Sequence, residues 1–216
     1  MSDRFKANRR GTPKRRHQPR PLRTTVLIVC EGKETERNYF EELKREPWTS
    51  RHFAITVKRG KGGSREQIAQ FAIDRKENSA VDFDEVWCVM DVESPAARDE
   101  MVSALAQLEQ NGIGPCLSNP AFEVWLLAHF ERTARAFLDC EGVITQLNGH
   151  WRDRFQLDYD KADTRVYTRL AGLVRDAIRN AKWVRETHHS LAVSTLDCNS
   201  ATDVYRLVAE VTEPSE

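Results

Sequence analysis

The chain has 216 residues with 33 basic and 33 acidic side chains, enough for one domain with a real core plus an extension. The neutral total conceals an asymmetry: residues 1–23 hold nine basic side chains against Asp3 alone, and the remainder holds 24 basic against 32 acidic. No apolar run is long enough to span a membrane and nothing resembles a signal peptide. Five scattered cysteines without a Cys-x-x-Cys pair argue against a zinc site and read as reduced thiols of a cytoplasmic protein.

Three prolines, one glycine and few apolar residues in segment 1–23 predict a disordered arm. Its basic run, with Arg9, Arg10, Arg15 and Arg16, predicts nucleic-acid binding through counterion release, the bland alternative being a solubilising tail. Beyond it, apolar residues 25–30 predict a strand that ends in Glu31-Gly32. Residues 34–45 predict a helix closed by Pro47, and 53–58 alternate as a strand. The loop Gly60-Lys61-Gly62-Gly63 precedes a helix over 64–78, where Ser64 and Gln67 have capping-box spacing. Residues 84–90 predict a strand ending in Asp91-Val92-Glu93. A helix over 95–110, a short strand over 113–117 and an apolar helix over 121–130 follow. Strands separated by helices predict βαβ units and a parallel sheet. From residue 133 the pattern turns helical, over 137–147, 161–183 and 202–211. The expected organisation is an arm over 1–23, an α/β core over 24–132 and a helical region over 133–216 packed on the core.

Two core strands thus deliver carboxylates at their C-terminal ends, the edge where open α/β sheets bind ligands. Carboxylates gathered there repel one another unless a cation lies between them, and hard oxygen ligands suit Mg²⁺ or Mn²⁺. Asp91 and Glu93 occupy alternate positions of an extended segment and are expected to point the same way, as a pair of metal ligands with Glu31. Gly32 permits close approach of backbone to ligand. The helix starting just beyond offers its amides to phosphate, with Lys33 beside it. Glu36, in that helix's first turn, reads equally as a site residue or as ordinary dipole-favoured charge. Glu123 sits among apolar residues in the first turn expected after Ser118-Asn119-Pro120. There Ser118 or Asn119 would cap the helix with Pro120 at its first position, and a buried acid needs a partner. Lys58, Arg59 and Lys61 flank the glycine-rich loop as weak phosphate candidates without P-loop spacing, and Lys161 at a helix start is weaker still. His129 reads as structural.

Segment 26–44, VLIVCEGKETERNYFEELK, resembles the opening motif of the RloB family of prokaryotic defence-associated proteins. Segments VWCVMDVE (86–93), LSNPAFEVWLLAHF (117–130) and NSATDVYRLV (199–208) resemble that family's other landmarks, so the resemblance runs from about residue 24 to 212. RloB proteins in turn resemble the Toprim fold of topoisomerases, primases and OLD-family nucleases. This implies a Toprim-like Rossmannoid α/β fold, with Glu31 as the Toprim glutamate and Asp91 and Glu93 in the Asp-x-Asp positions. Glu93 departs from the usual Asp by one methylene, and the spacing from Glu31 to Glu36 exceeds that of OLD nucleases by one residue.

The function expected from these residues and the resemblance is metal-dependent nuclease activity on DNA or RNA in anti-phage defence. Glu31, Asp91 and Glu93 would be catalytic, and Glu123 would join them at the metal. A non-catalytic nucleic-acid- or nucleotide-binding regulatory module, working through a defence partner or activator, is the alternative. Phosphoryl transfer on a mononucleotide is a third. No membrane partner is expected, and the apolar helix 121–130 leaves room for a homo-oligomer.

Overall fold

The computed structural model describes residues 22–61, 63–93, 98–189 and 194–212. Four strands form one all-parallel sheet: β1 (Thr24–Cys30), β2 (Phe53–Arg59), β3 (Glu85–Asp91) and β4 (Gly114–Ser118), in the order β2-β1-β3-β4. Central β1 reads as an unbroken apolar run because both of its faces are covered: Val26 to Cys30 are all buried. Helices α1 (Thr35–Leu43) and α2 (Pro47–His52) connect β1 to β2. Helix α3 (Arg65–Glu77) precedes β3, and α4 (Arg98–Gln110) precedes β4. The architecture is a Rossmann-like α/β fold in which α5 (Glu123–Ala128) follows β4, with a C-terminal helical part: α6 (Cys140–Phe155), α7 (Val166–Leu170), α8 (Val174–His189) and α9 (Val204–Thr212).

Side-chain alternation along the strands divides the core in two. Leu27, Val29, Cys88 and Met90 face α3 and α4. Val26, Ile28, Cys30 and Val89 face the opposite layer, where they meet α1, α5 and the C-terminal helices. That second layer is rich in rings: Tyr39 lies edge-on to Phe40, Phe122, Trp125 and Tyr167, with centroids 5.1–6.2 Å apart. Trp151 and Leu147 of α6 and Val204, Leu207 and Val208 of α9 belong to the same cluster. The helices after residue 133 therefore share one core with the sheet.

Several sequence expectations change. Pro47 opens α2 at its first position, where its missing N–H costs nothing, besides closing α1. The helix expected over 161–183 is broken into α7, a 3-10 turn at Ala171–Leu173 and α8, and Lys161 lies before all three. Helix α6 starts later and runs further than the expected 137–147. Neither Ser118 nor Asn119 caps α5, and Pro120 is not its first residue, because α5 begins only at Glu123, with Phe122 at its N-cap position. Asn119 instead donates from Nδ2 to the carbonyls of Thr195 and Leu196, while Ser118 bonds Thr202. The capping box at Ser64 and Gln67 forms as its spacing predicts. Residues 1–21 of the arm, including Arg9, Arg10, Arg15 and Arg16, lie outside the described residues, whereas its last residue, Arg23, donates to the carbonyl of Ser50 (3.2 Å).

The shared core generates a test. Trp151→Ala removes a fully buried ring from the layer joining α6 to the sheet and should cost about 3–5 kcal/mol. At roughly 2–4 °C per kcal/mol the whole chain should melt earlier, in one transition. Calorimetry resolving two transitions, with the sheet's unmoved, would contradict a common core.

Candidate active site at the sheet edge

The C-terminal ends of β1 and β3 are fastened together by backbone and side chain. The Glu31 amide donates to the carbonyl of Val89 (3.0 Å), and the Asp91 amide donates to Oε2 of Glu31 (3.0 Å). Gly32 then makes the turn into α1, and its amide donates to Oε1 of Glu36 (3.1 Å). A Cβ at residue 32 would lie 2.1 Å from Oε2 of Glu36, so a side chain there would displace the Glu36 carboxylate from the Gly32 amide. Glu36, only 5 % exposed, is thereby pinned over the end of the sheet.

Alternation decides which acids meet. Asp91 follows Val89 on the α1/α5 side and borders a cleft of ≈ 410 Å³ with Gly32, Lys33, Glu36, Glu123 and Lys161. Its Oδ1 is shut from solvent and has no hydrogen-bond partner. Glu123 is 2 % exposed and accepts from the Tyr159 hydroxyl (3.0 Å), the Cys140 thiol (3.3 Å) and Lys161 Nζ (3.1 Å). The Thr35 hydroxyl, on α1, in turn bonds that of Tyr159 (3.2 Å).

The remaining acids gather on the α3/α4 side. Glu93 does not point with Asp91. Its backbone has a positive φ of 51°, which ends the extended alternation, and its carboxylate pairs with Arg65 at 2.8 Å. Of the other predicted residues, Lys33 lines the cleft, whereas Lys58, Arg59 and Lys61 are exposed at and beyond the end of edge strand β2 and do not line it. Lys161 is brought in by the turn before α7. His129 is buried among Tyr39 and Trp125 with its Nδ1 2.9 Å from the Trp125 carbonyl, and burial pushes its pKa down to about 4, so it is neutral and structural at ordinary pH.

Burial chiefly, and then the mutual repulsion of Glu36, Glu123, Glu31 and Glu93, raises the Asp91 carboxyl well above the ordinary range. Burial also raises Glu36. Its own and Gly32's amides oppose that shift, and Glu123 and Glu31 add to it. Glu31 is raised by burial despite the Asp91 amide and the nearby Arg65 guanidinium. Cys140 is pushed up to about 12 by burial and Glu123, so it is a thiol rather than a nucleophilic thiolate. Among the described residues, no group of three or more His, Cys, Asp or Glu side chains is placed so that it could hold a metal ion. The unpartnered Oδ1 of Asp91 and the all-carboxylate donor set of Asp91, Glu36 and Glu123 nevertheless fit a hard divalent cation in chemistry.

Tyr159 and Cys140 escape sequence reading because Thr35 and Tyr159 are 124 positions apart and no local pattern marks their meeting. Glu36 carries a readable signal, a carboxylate four residues after a strand-end glycine, but one shared with ordinary helix starts.

A family model described as RloB-like protein matches residues 26–211. Comparison with curated proteins and with solved structures yields no match.

The raised carboxyls predict a pH dependence. A folded-state pKa above the unfolded value contributes stability that is complete below the unfolded pKa and is lost as pH rises through the folded one. Asp91→Asn should therefore melt at the same temperature as wild type at acid pH and higher than wild type near neutrality, without added metal, by roughly 2–4 °C per kcal/mol of burial and repulsion cost relieved. Parallel melting curves of the two proteins across pH 4–8, as followed by circular dichroism, would refute the assignment of a buried, raised Asp91 carboxyl.

Proposed function

The chain belongs to the RloB-like family, and from that premise and the acidic cleft we propose that it is a Mg²⁺- or Mn²⁺-dependent nuclease, hydrolysing phosphodiesters of DNA or RNA in anti-phage defence. The observation that carries the reading is the enclosed, unpartnered Oδ1 of Asp91, in a cleft also lined by Glu36, Glu123 and the cations Lys33 and Lys161. A cleft with both signs suits a phosphodiester and its accompanying cation together. The defence role rests on the family resemblance, and placement in the cytoplasm on the free cysteines.

A bound Mg²⁺ or Mn²⁺ would supply Lewis-acid polarisation of the phosphate and acidify a water. Asp91 and Glu123 would hold it, with Glu36 adjoining. Glu36, whose raised pKa keeps it able to exchange a proton nearer neutrality, would receive the proton of the attacking water. Lys33 and the amides opening α1, whose first residue is preceded by an N-cap, Glu34, that makes no side-chain cap, would receive phosphate oxygens. Glu31, the residue matching the Toprim glutamate by resemblance, acts through the Asp91 amide in this arrangement and is a positioning residue. Lys161 neutralises Glu123 and would exchange that carboxylate for a phosphate oxygen. The arm would add sequence-independent affinity.

One observation favours the alternative, a nucleic-acid- or nucleotide-binding regulatory module acting through a defence partner. Glu123 and Glu93 are each already neutralised by a protein cation. The two readings separate on turnover.

Purified protein should cleave at least one of plasmid, single-stranded DNA or a tRNA pool with Mg²⁺ or Mn²⁺ and not with EDTA. Asp91→Asn should lose about 10³-fold or more in rate while remaining folded. Equal cleavage by the variant would sink the mechanism, and binding without turnover would establish the regulatory reading. Removing residues 1–23 should weaken nucleic-acid binding and flatten its dependence on salt, by a log–log slope of about 0.9 for each phosphate the arm neutralises on duplex DNA. An unchanged slope in fluorescence-anisotropy titrations would exclude the arm from the interface.

A further inference from the structure

Arg65 occupies an unfavourable place for a cation. It is the first residue of α3, at the positive end of a 13-residue helix, and only 8 % of it is exposed. A guanidinium so placed must be held by anions. One acid, Glu93, pairs with it directly, and Glu100 and Glu31 lie nearby. Its Nη2 donates to Oε2 of Glu93 at 2.8 Å, its backbone amide donates to Oε1 of Glu100 at 2.6 Å, and its charge lowers the cost of ionising Glu31. Nη2 also lies 3.3 Å from the carbonyl of Asp91, so the same group touches the backbone of the cleft's central acid. Its Nε, by contrast, is buried with no partner.

Glu93 is the other half of the arrangement. Two residues beyond Asp91, an extended chain would aim its carboxylate into the Asp91 cleft. The positive φ at Glu93, uncommon for a residue with a side chain, turns it to the face of Arg65 instead. The partners are also unequally committed: the Glu93 side chain is 62 % exposed, while that of Arg65 is 9 % exposed. A solvent-facing carboxylate on a strained residue is free to rotate away. The buried guanidinium is not.

We propose that Arg65 is a built-in counter-cation of the sheet edge, which holds Glu93 away from Asp91 until a divalent cation competes for that carboxylate. The inference rests on the reading that the Asp91 cleft binds Mg²⁺ or Mn²⁺. Arg65 and the ion then oppose each other through Glu93, and by linkage each weakens the other's hold on it. Divalent-ion binding at Asp91 draws Glu93 over and leaves Arg65 unpaired beside the cleft, where an incoming phosphate becomes its replacement anion.

The test is calorimetric titration of the full chain with Mn²⁺ alone, for wild type, R65Q, E93Q and R65Q/E93Q. R65Q should bind Mn²⁺ about five- to tenfold more tightly than wild type, the scale of a typical coupling between sites. In the E93Q background the same substitution should change nothing, because the shared carboxylate is gone. Unchanged or weaker binding by R65Q overturns the proposal. Equal tightening in both backgrounds also overturns it, by showing a diffuse field rather than competition for Glu93. Failure of wild type and every variant to bind Mn²⁺ overturns instead the metal reading on which it stands. Independently of any substitution, the Arg65 Nε–H resonance of wild type should shift and exchange faster with water as Mg²⁺ is added, and an unmoved resonance refutes the release of Arg65.

Discussion

The mutual repulsion of carboxylates at the end of the sheet is the constraint around which the rest is arranged. Burial removes the water that would screen Asp91, Glu36 and Glu123 from one another, and each must then be neutralised, protonated or kept at a distance. The fold uses all three means. Lys161 sits on Glu123, Asp91 and Glu36 are raised toward protonation, and Glu93 is turned through a positive φ to the opposite face. The bond from the Asp91 amide to Glu31 makes this possible by locking the ends of β1 and β3 in one register.

The packing behind the site shows what this crowding requires. Buried acids stay charged or poised only where their surroundings cannot relax, and here the surroundings are rings and strand ends. Tyr39 and Phe40, on the helix that carries Glu36, interlock with Phe122 immediately before Glu123. Tyr159 reaches in behind α6 to bond Glu123 and Thr35 at once. The C-terminal helical part is thus a structural component of the cleft, supplying Tyr159, Cys140 and Lys161 to a carboxylate carried by α5.

The segments 117–130 and 199–208 illustrate the same economy of contact. Ser200 and Ala201 exchange backbone hydrogen bonds with Asn119, and the Asp203 amide reaches the carbonyl of Leu117. A loop from the end of the chain therefore braces the turn from which Glu123 projects. Asn199, by bonding both the amide and the carbonyl of Phe137, fixes the approach to α6. Two stretches that read as separate motifs are two sides of one clamp.

Local pattern sufficed for the parallel sheet, because the β1 and β3 segments are apolar enough for burial on both faces and are separated by helical segments. It sufficed also for the Ser64 cap and for the acids at two strand ends, since each depends on residues a few positions apart. The choice of partners among those acids was not local. A period of two predicts that Asp91 and Glu93 share a face, and one residue leaving the extended region undoes it. Arg65, Tyr159 and Lys161 lie 28, 36 and 38 positions from the acids they serve, distances at which sequence carries no periodic signal. The sequence by itself determined that carboxylates would crowd the end of a parallel sheet. Tertiary packing decided which of them would face one another, because only the assembled layers put a cation or a hydroxyl beside each charge.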